Sequence, residues 1–328
     1  MPPELRPQSI INMEILSTQF PKGKEQEDAA KGVVDFRFDS AKLKAIKENL
    51  GITAFNAGET LIILERIYDG LKTRNNPDNE RKINLSYEEN KGLIREPATV
   101  LEKGKTDCDE ATRTAYLLAW ESGVRNIVMV EMHWFDPKTN EQTGHSFIIL
   151  MPQEKDGIPR IYDLTYFKKG KPLTIENNDL EAAIRKEYAA DAVNPNFRII
   201  TRGNLNEVEA AHYDQVGEYY GGKNPKMMTK AYERAVALEP SKLKYNRNLA
   251  FAYEKLKKWN DAISYYEKCA KSEEGKNNPW ILGALGSAYA EVGRYEEAKN
   301  LLKKALDLNP DQWFKTEIIH NLNVIESK

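Results

Sequence analysis

The stretch Gly104-Lys105-Thr106-Asp107-Cys108-Asp109-Glu110-Ala111 decides how the first part of this chain is interpreted. Its polar, turn-prone start is followed by apolar residues at helical spacing, namely Ala111, Ala115 and Leu118. This pattern predicts a helix that begins at Cys108 or just after it. A cysteine there lies at the positive end of the helix dipole, where a thiolate is favoured over a thiol. We therefore expect Cys108 to be a reactive thiol.

Two further polar residues lie in runs that are typical of strands. His145 directly precedes the apolar run Ser146–Leu150, and Asp163 lies in the next such run. A thiol nucleophile needs a general base and a group that orients that base. A short connection centred on residue 154 predicts an antiparallel hairpin that holds His145 and Asp163 on one face. The candidate catalytic residues are thus Cys108, His145 and Asp163.

Each of these residues also has an ordinary structural interpretation. A histidine at a strand end is often a half-exposed polar residue, and an aspartate in an apolar strand needs only a partner. The acidic neighbours Asp107, Asp109 and Glu110 oppose a low thiol pKa unless they point to solvent or cap the helix. The functional hypothesis therefore rests on the order of the three residues along the chain and on the elements that carry them.

The first part of the chain is predicted to have an α+β fold, with helices followed by an antiparallel meander. The predicted helices are Ser40–Leu50, Asn56–Leu71, the helix at Cys108 and Thr174–Ala190, and the predicted strands are Asn126–Trp134, Ser146–Leu150, Arg160–Tyr166 and Phe197–Thr201. The pair Asp156-Gly157 is a hairpin signal between two of these strands. This domain is expected over residues 36–204. Residues 1–35 form an N-terminal extension, with strand character over Ile10–Phe20, that is a candidate pro-segment or lid.

The order of a helix-borne cysteine, a strand histidine and an aspartate on the next strand resembles the transglutaminase-like branch of the papain-type cysteine protease fold. The resemblance covers residues 55–167. The family has a small residue three positions after the cysteine, which is Ala111 here, and a leucine-to-glycine exit from the helix, which is Leu118 to Gly123 here.

The resemblance implies acyl-enzyme chemistry at Cys108. The thiolate would attack an amide carbonyl of a peptide or protein, and water or an amine would resolve the thioester. The backbone N–H of Cys108 is the natural first donor to the oxyanion, whereas the second donor is not assigned. The sequence departs from the family at Thr106, where glycine is frequent, and at Phe147, where tryptophan is more common. Neither departure removes a catalytic group, but both leave the substrate open.

From residue 205 to residue 328 the chain is predicted to be entirely helical and repetitive. The repeat period is 34 residues from Tyr219 to Tyr253 and 36 residues from Tyr253 to Tyr289. The columns that align with this period are Tyr232, Tyr266 and Leu302, and then Ala235, Cys269 and Ala305. The pattern resembles the tetratricopeptide repeat, with about three units and a capping helix over Asp311–Ser327. The first unit departs from the pattern, because Val216 and Met228 occupy positions where small residues are expected.

The second cysteine and the remaining histidines are interpreted structurally. Cys269 lies in the small-residue column of the repeats, so we expect a buried packing cysteine. His212 and His320 lie in the helical part and are interpreted as surface or packing residues. A zinc site that used His133 with Cys108 and His145 is disfavoured, because the chain has no Cys-x-x-Cys or His-x-x-x-His pair. No metal and no cofactor are expected.

Composition and charge exclude several classes of partner. The formal net charge of the 328 residues is −2, which argues against nucleic acid and anionic membrane surfaces as partners. No apolar run reaches the roughly 18 residues that a membrane span requires. The short lysine-rich runs Lys168–Lys171 and Lys255–Lys258 are interpreted as solvated faces. We expect a soluble, cytoplasmic protein, although an export signal removed before residue 1 would leave the same sequence.

Two functions of different classes follow from the sequence. In the first, the protein is a cysteine hydrolase or acyltransferase that acts on peptide or protein amides, and its repeats recruit a protein partner. In the second, the transglutaminase-like domain is an inactive scaffold, and the repeats mediate protein–protein interaction. The complete set of three polar groups favours the first function, whereas the acidic neighbours of Cys108 favour the second.

Overall fold

The computed structural model describes residues 36–37, 40–52, 59–71, 86–87, 97, 100, 105–135, 142–153, 157–166, 168–189 and 197–327. The described residues form two compact units, and the division between them falls between Val208 and Glu209. The N-terminal extension 1–35, with its predicted strand Ile10–Phe20, lies outside the described residues, as does Asp156 of the predicted hairpin turn.

The first unit combines helices with an antiparallel sheet. Its helices are α1 (Ser40–Leu50), α2 (Thr60–Leu71), α3 (Cys108–Glu121) and α4 (Leu180–Tyr188), and its strands are β1 (Ser86–Tyr87), β2 (Lys105–Thr106), β3 (Ile127–Phe135), β4 (Gln142–Leu150), β5 (Arg160–Asp163), β6 (Lys168–Pro172) and β7 (Arg198–Arg202). β1 and β2 form a short parallel pair. The other five strands form one sheet in the order β6-β5-β4-β3-β7, in which every pairing is antiparallel.

The two faces of this sheet carry different helices. One face holds a buried apolar cluster to which α4 contributes Ala183, Ile184 and Tyr188. The other members of the cluster are Val130, Met132, Phe147, Ile149, Ile161, Leu173 and Phe197. Successive side chains of a strand point to opposite faces. Ser146, which precedes Phe147 on β4, accordingly directs its hydroxyl to α3 and donates to the carbonyl oxygen of Cys108 over 2.9 Å. The sheet therefore lies between α3 and α4, and β4 contacts both sides.

Helices α2 and α4 and strand β5 are shorter in the structure than the sequence predicts, and α2 begins at Thr60 rather than at Asn56. α4 begins at Leu180 rather than at Thr174, because Asn177 and Asn178 have left-handed backbones and Asp179 caps the helix by accepting from the Ala182 N–H. β5 ends at Asp163 rather than at Tyr166. The Asp163 side chain there accepts two backbone N–H groups of the following turn, which ends the strand.

Strand β6 was not predicted, because its lysine-rich sequence was interpreted as a solvated face. It is an edge strand, and lysines are common on such edges because they disfavour pairing with another chain. Its lysines are also paired within the unit. Lys168 and Lys171 lie 3.1 Å and 2.5 Å from Glu187, and Lys169 lies 2.7 Å from Asp69.

The second unit is helical. Its helices are α5 (Leu205–Tyr220, which begins just before the division), α6 (Pro225–Leu238), α7 (Leu243–Lys255), α8 (Trp259–Ala270), α9 (Pro279–Glu291), α10 (Tyr295–Asp307) and α11 (Gln312–Glu326). The residues of the predicted repeat columns are buried, namely Tyr232, Tyr266, Leu302, Ala235, Cys269 and Ala305. Asp311 caps α11 by accepting from the Phe314 N–H. Among the described residues, no helix is long and apolar enough to cross a membrane.

The first repeat keeps a close helix contact at a position displaced by one residue. A Cβ atom on Gly217 of α5 would lie 2.3 Å from the ring of Tyr232 on α6. Val216, which occupies the expected small position, is itself buried, and so is Met228. The small residue that lets these two helices approach is therefore Gly217, one position later than the repeat pattern indicates.

We predict that Gly217→Ala destabilises the protein. The new methyl group must displace the buried ring of Tyr232, which costs about 1–3 kcal/mol, and the better helix propensity of alanine returns at most about 1 kcal/mol. The free energy of unfolding in urea is expected to fall by about 1–2 kcal/mol. Gly203→Ala is the control, because its Cβ meets no atom within 4 Å. An unchanged or higher stability of Gly217→Ala would contradict this account of the helix contact.

Candidate active site

The local sequence around Cys108 begins α3 through a capping box. Asp107 is the N-cap, and its carboxylate accepts the backbone N–H of Glu110 at 2.8 Å. The Glu110 carboxylate accepts the backbone N–H of Asp107 in return, at 3.3 Å. These reciprocal bonds satisfy helix N–H groups that have no partner within the helix. The helix therefore begins at Cys108, as the sequence predicted.

Two hydrogen bonds hold the cysteine-bearing end of α3 on β4. The hydroxyl of Thr112, one helical turn after Cys108, donates to the carbonyl oxygen of Ser146 at 3.0 Å. The hydroxyl of Ser146 donates to the carbonyl oxygen of Cys108 at 2.9 Å. Because Ser146 directly follows His145, these bonds fix the backbone of the cysteine relative to the strand that carries the histidine.

His145 and Asp163 are in direct contact. The distance from His145 Nε2 to Asp163 Oδ2 is 2.6 Å, and both side chains are almost completely buried. The other oxygen of Asp163, Oδ1, accepts the backbone N–H groups of Thr165 and Tyr166, each at 2.9 Å. Tyr188 on α4 donates its hydroxyl to Oδ2 at 2.8 Å. The carboxylate thus accepts four hydrogen bonds.

The hairpin of β4 and β5 is centred one residue later than predicted, but His145 and Asp163 still lie on the same face of the sheet. Tyr162 pairs with Ile148 and Ile161 with Ile149, which centres the hairpin on residue 155 rather than on residue 154. Asp163 therefore lies diagonally from His145 rather than opposite to it. Because side chains alternate with a period of two, this displacement leaves both side chains on the same face.

Aromatic rings surround the His145–Asp163 pair. The ring of Tyr166 stacks on the imidazole of His145, with centroids 4.3 Å apart and an interplanar angle of 30°. Tyr188 stacks on Phe147 at 4.5 Å. Tyr166 is 40% exposed whereas His145 is 3% exposed, so Tyr166 separates the imidazole from solvent. A dry environment strengthens the interaction between the imidazole and the carboxylate.

The surroundings keep Asp163 ionised in spite of its burial. Burial alone raises the pKa of this carboxyl group. The hydrogen bonds and charge of His145, together with the bonds from the Tyr166 N–H and the Tyr188 hydroxyl, outweigh burial, and the pKa of Asp163 is lowered from its ordinary value. Asp163 is therefore a carboxylate at neutral pH and can orient His145 and stabilise the imidazolium.

The thiol of Cys108 lies beside the strand that carries His145. Its sulfur is 3.8 Å from the carbonyl oxygen of Gly144, the residue before His145, and 3.8 Å from Oδ1 of Asp109. Both Cys108 and His145 belong to the described part of the chain, and no hydrogen bond joins Sγ to the imidazole there.

Nε2 of His145 is bonded to Asp163, which leaves Nδ1 for any other partner. Because side chains alternate along β4, the imidazole lies with the rings of Phe147 and Tyr188 on the α4 face, whereas Ser146 faces α3.

The expected low pKa of Cys108 was wrong for the site as it stands. Burial of the thiol, followed by the charges of Asp109 and Asp107, raises the pKa of Cys108 well above its ordinary value, although a hydrogen bond from the Ser146 backbone acts in the opposite direction. Asp107 caps the helix, so its carboxylate also offsets the dipole that was expected to favour the thiolate. The neutral thiol is thus the favoured form in this structure.

The remaining candidates lie apart from this site. Cys269 is buried between repeat helices, and burial raises its pKa to about 11, which agrees with a packing cysteine. His212 is buried and His320 is exposed, both in the helical unit. His133 on β3 lies 4.0 Å from Glu131. Within the described ranges, no group of three or more histidine, cysteine, aspartate or glutamate side chains is arranged to hold a metal ion.

Sequence reasoning did not find four residues that build the site. Thr112 and Ser146 had a usable signal, since one lies a helical turn after Cys108 and the other directly follows His145. Tyr166 lies in the turn after Asp163. Tyr188 had no local signal, because it reaches Asp163 from a helix 25 residues further along the chain.

Comparison with known proteins identifies the helical repeats. Residues 242–311 match the tetratricopeptide-repeat family. These residues form tetratricopeptide repeats. The match covers α7 to α10, which are the second and third predicted repeats. It does not include the first repeat, α5 and α6, whose sequence departs from the repeat pattern. The repeats indicate interaction with other proteins. No curated protein matches the chain.

Two similarities to solved structures are low. A structure described as MamA MSR-1 C2 is 21% identical, covers 45% of this chain and 78% of its own, and gives a TM-score of 0.33. A crystal structure of menin, which concerns the binding site for the Mixed Lineage Leukemia (MLL) protein, is 14% identical, covers 96% of this chain and 70% of its own, and gives a TM-score of 0.36. The resemblance of residues 55–167 to the transglutaminase-like family stays a prediction.

We predict that Asp109→Asn lowers the pKa of Cys108, because it removes the carboxylate whose oxygen lies 3.8 Å from the sulfur. A decrease of about one unit is expected. The measurement is the thiolate absorbance against pH in a Cys269→Ala background, where only Cys108 titrates as a thiol. Glu181→Gln, which removes an exposed carboxylate from α4, is the control. A thiol titration that is the same in Asp109→Asn and in the parent would show that this carboxylate does not act on the sulfur.

We predict that the cost of Asp163→Asn depends on pH. Because the pKa of Asp163 is lowered in the folded protein, its contribution to stability is present above the unfolded value of about 3.9 and is lost as the pH falls through the folded value. Urea unfolding at neutral pH should show a loss of about 2–3 kcal/mol, which shrinks as the pH is lowered towards about 3. Exposed Asp307→Asn should change stability little at any pH. A loss for Asp163→Asn that is constant with pH would contradict the ionised, bonded carboxylate.

Proposed function

We propose that this protein is a thiol-dependent amide hydrolase or acyltransferase that acts at Cys108 on peptide or protein substrates. The observation that carries the proposal is the buried bond between His145 Nε2 and Asp163 Oδ2, at 2.6 Å, on the strand that holds the cysteine-bearing end of α3. A nucleophile, a base and a group that orients the base are the three parts that acyl transfer to a thiol requires. The tetratricopeptide repeats would bind a protein partner or the substrate protein.

In the proposed reaction, Cys108 Sγ attacks the amide carbonyl carbon while its proton passes to Nδ1 of His145. The backbone N–H of Cys108 supports the oxyanion that forms. The imidazolium then protonates the leaving amine as the C–N bond breaks, which leaves a thioester on Cys108. Water, deprotonated by His145, attacks the thioester and releases a carboxylic acid and the thiol. A primary amine in place of water gives a new amide.

The charge around the thiol decides when its proton moves. The raised pKa of Cys108 favours the neutral thiol before substrate binds. Proton transfer to His145 therefore accompanies attack on the carbonyl, as general base catalysis, rather than preceding it as a stable thiolate–imidazolium pair. Asp163 supports this step, because an ionised carboxylate on Nε2 stabilises the positive charge that develops on the ring.

A second function, that of an inactive scaffold, is favoured by specific observations. Carboxylates of Asp107 and Asp109 oppose ionisation of the thiol, and no hydrogen bond within the described residues joins Sγ to His145. The family match falls on the repeats at residues 242–311. In this alternative, the first unit has no catalytic role, and the protein acts through the protein–protein interactions of its repeats.

The experiment that separates the two functions compares the parent protein with Cys108→Ala and Cys269→Ala. Each is incubated with an unfolded protein substrate and a fluorescent primary amine, and peptide cleavage, ammonia release and amine incorporation are measured. An enzyme gives at least one of these products, which Cys108→Ala abolishes and Cys269→Ala retains. Product formation that persists in Cys108→Ala, or no product in any of the three, would reject catalysis at Cys108, and the second of these results favours the scaffold.

A further inference from the structure

The Asp163 carboxylate has a partner that the proposed chemistry does not yet use. Each oxygen of this buried group accepts two hydrogen bonds: Oδ1 from the N–H groups of Thr165 and Tyr166, and Oδ2 from His145 Nε2 and the Tyr188 hydroxyl. His145 and Tyr188 thus share one oxygen, at 2.6 Å and 2.8 Å. A carboxylate has about four acceptor sites, so those of Asp163 are filled.

The ring of Tyr188 is fixed from two sides. Phe147 stacks on it with centroids 4.5 Å apart and an interplanar angle of 22°. The ammonium group of Lys168 lies 3.8 Å from the ring centroid, and Glu187 holds this lysine at 3.1 Å. Tyr188 itself is completely buried. Its hydroxyl is therefore presented to Asp163 by a side chain that has little freedom to turn away.

We propose that Tyr188 is a positioning residue of this site, whose hydroxyl shares the negative charge of Asp163 with His145. This inference rests on the proposed function, since it assigns Tyr188 a role in proton transfer by His145. The role has a chemical reason. An imidazolium that is held too strongly by a carboxylate gives up its proton reluctantly, and a second donor on the same oxygen weakens that hold.

The charges around Tyr188 and Asp163 support the sharing. A cation over the face of a tyrosine ring draws electron density towards itself, which makes the hydroxyl a stronger donor. Lys168 is that cation, and Glu187 partly offsets it. Asp163 also acts electrostatically on Tyr68 and Cys108, and it raises the pKa of both. The charge that remains on Asp163 is thus felt by the nucleophile as well as by His145.

The test is the 15N NMR titration of the imidazoles in full-length protein that carries Cys108→Ala. The chain has four histidines, and the signal of His145 is assigned by its loss in His145→Gln. Tyr188→Phe removes only the hydroxyl. The titration midpoint of His145 is expected to move to higher pH by about half a unit to one unit, because Asp163 loses one donor and holds the imidazolium more strongly. The neutral ring is expected to keep its proton on Nε2.

Tyr116→Phe is the matched control. Tyr116 is a buried tyrosine of the same unit, and its hydroxyl has no hydrogen-bond partner among the described residues, so the midpoint of His145 should not move. A midpoint in Tyr188→Phe equal to that in Tyr116→Phe would overturn the proposal. A midpoint that moves to lower pH, together with a neutral ring that is a mixture of the Nδ1–H and Nε2–H tautomers, would also overturn the proposal. The hydroxyl would then only keep the carboxylate in place.

The titration does not depend on catalysis, because the protein used for it lacks the thiol. A protein that shows the expected shift but no amide hydrolysis or amine transfer would reject the proposed function and retain the shared carboxylate. Where activity is found, Tyr188→Phe in the protein with Cys108 should lower kcat by about threefold to at most about tenfold with little change in KM, since the hydroxyl acts on proton transfer and not on substrate binding.

Discussion

The structure of the first unit depends on the hydrogen bonds that compensate the buried charge of the Asp163 carboxylate. Transfer of a carboxylate out of water costs several kcal/mol unless hydrogen bonds and opposite charge replace the lost hydration. Asp163 has no exposed surface, and its four hydrogen bonds come from β4, from the turn after β5 and from α4. These segments are separate in sequence, so the carboxylate is stable only when all of them are in place. The same bonds fix the ring of His145.

The surroundings favour the ionised form of the Asp163 carboxyl group and disfavour the ionised form of the Cys108 thiol. The His145–Asp163 pair is buried and hydrogen-bonded, whereas the carboxylates of Asp109 and Asp107 disfavour ionisation of the thiol of Cys108. The sequence of α3 explains the difference, because Asp107 starts the helix and Asp109 stays near the sulfur, where it also lies 3.6 Å from Arg113. Under the proposed function, Cys108 would stay a neutral thiol until a substrate carbonyl is present.

Elements with local causes could be predicted from the sequence. α3 follows from its own capping residues, the sheet follows from alternating apolar residues, and the repeats follow from columns of small and aromatic residues. Features that depend on distant partners could not be predicted. Tyr188 has no signal near Asp163, β6 is stabilised by acids on other elements, and the small residue of the first repeat is Gly217, which only the contact with Tyr232 reveals. The direction of the Cys108 pKa shift depended on side-chain orientations that the sequence left open.

The central claim is that His145 acts on the thiol of Cys108, and the rate of alkylation by iodoacetamide against pH measures this directly. A Cys269→Ala background leaves one thiol, and alanine already occupies the equivalent position in the neighbouring repeats. His145→Ala is expected to lower the rate at neutral pH, because the imidazole that accepts the thiol proton during attack is lost, whereas His133→Ala should leave the rate curve unchanged. Superimposable curves for the parent and His145→Ala would contradict the account.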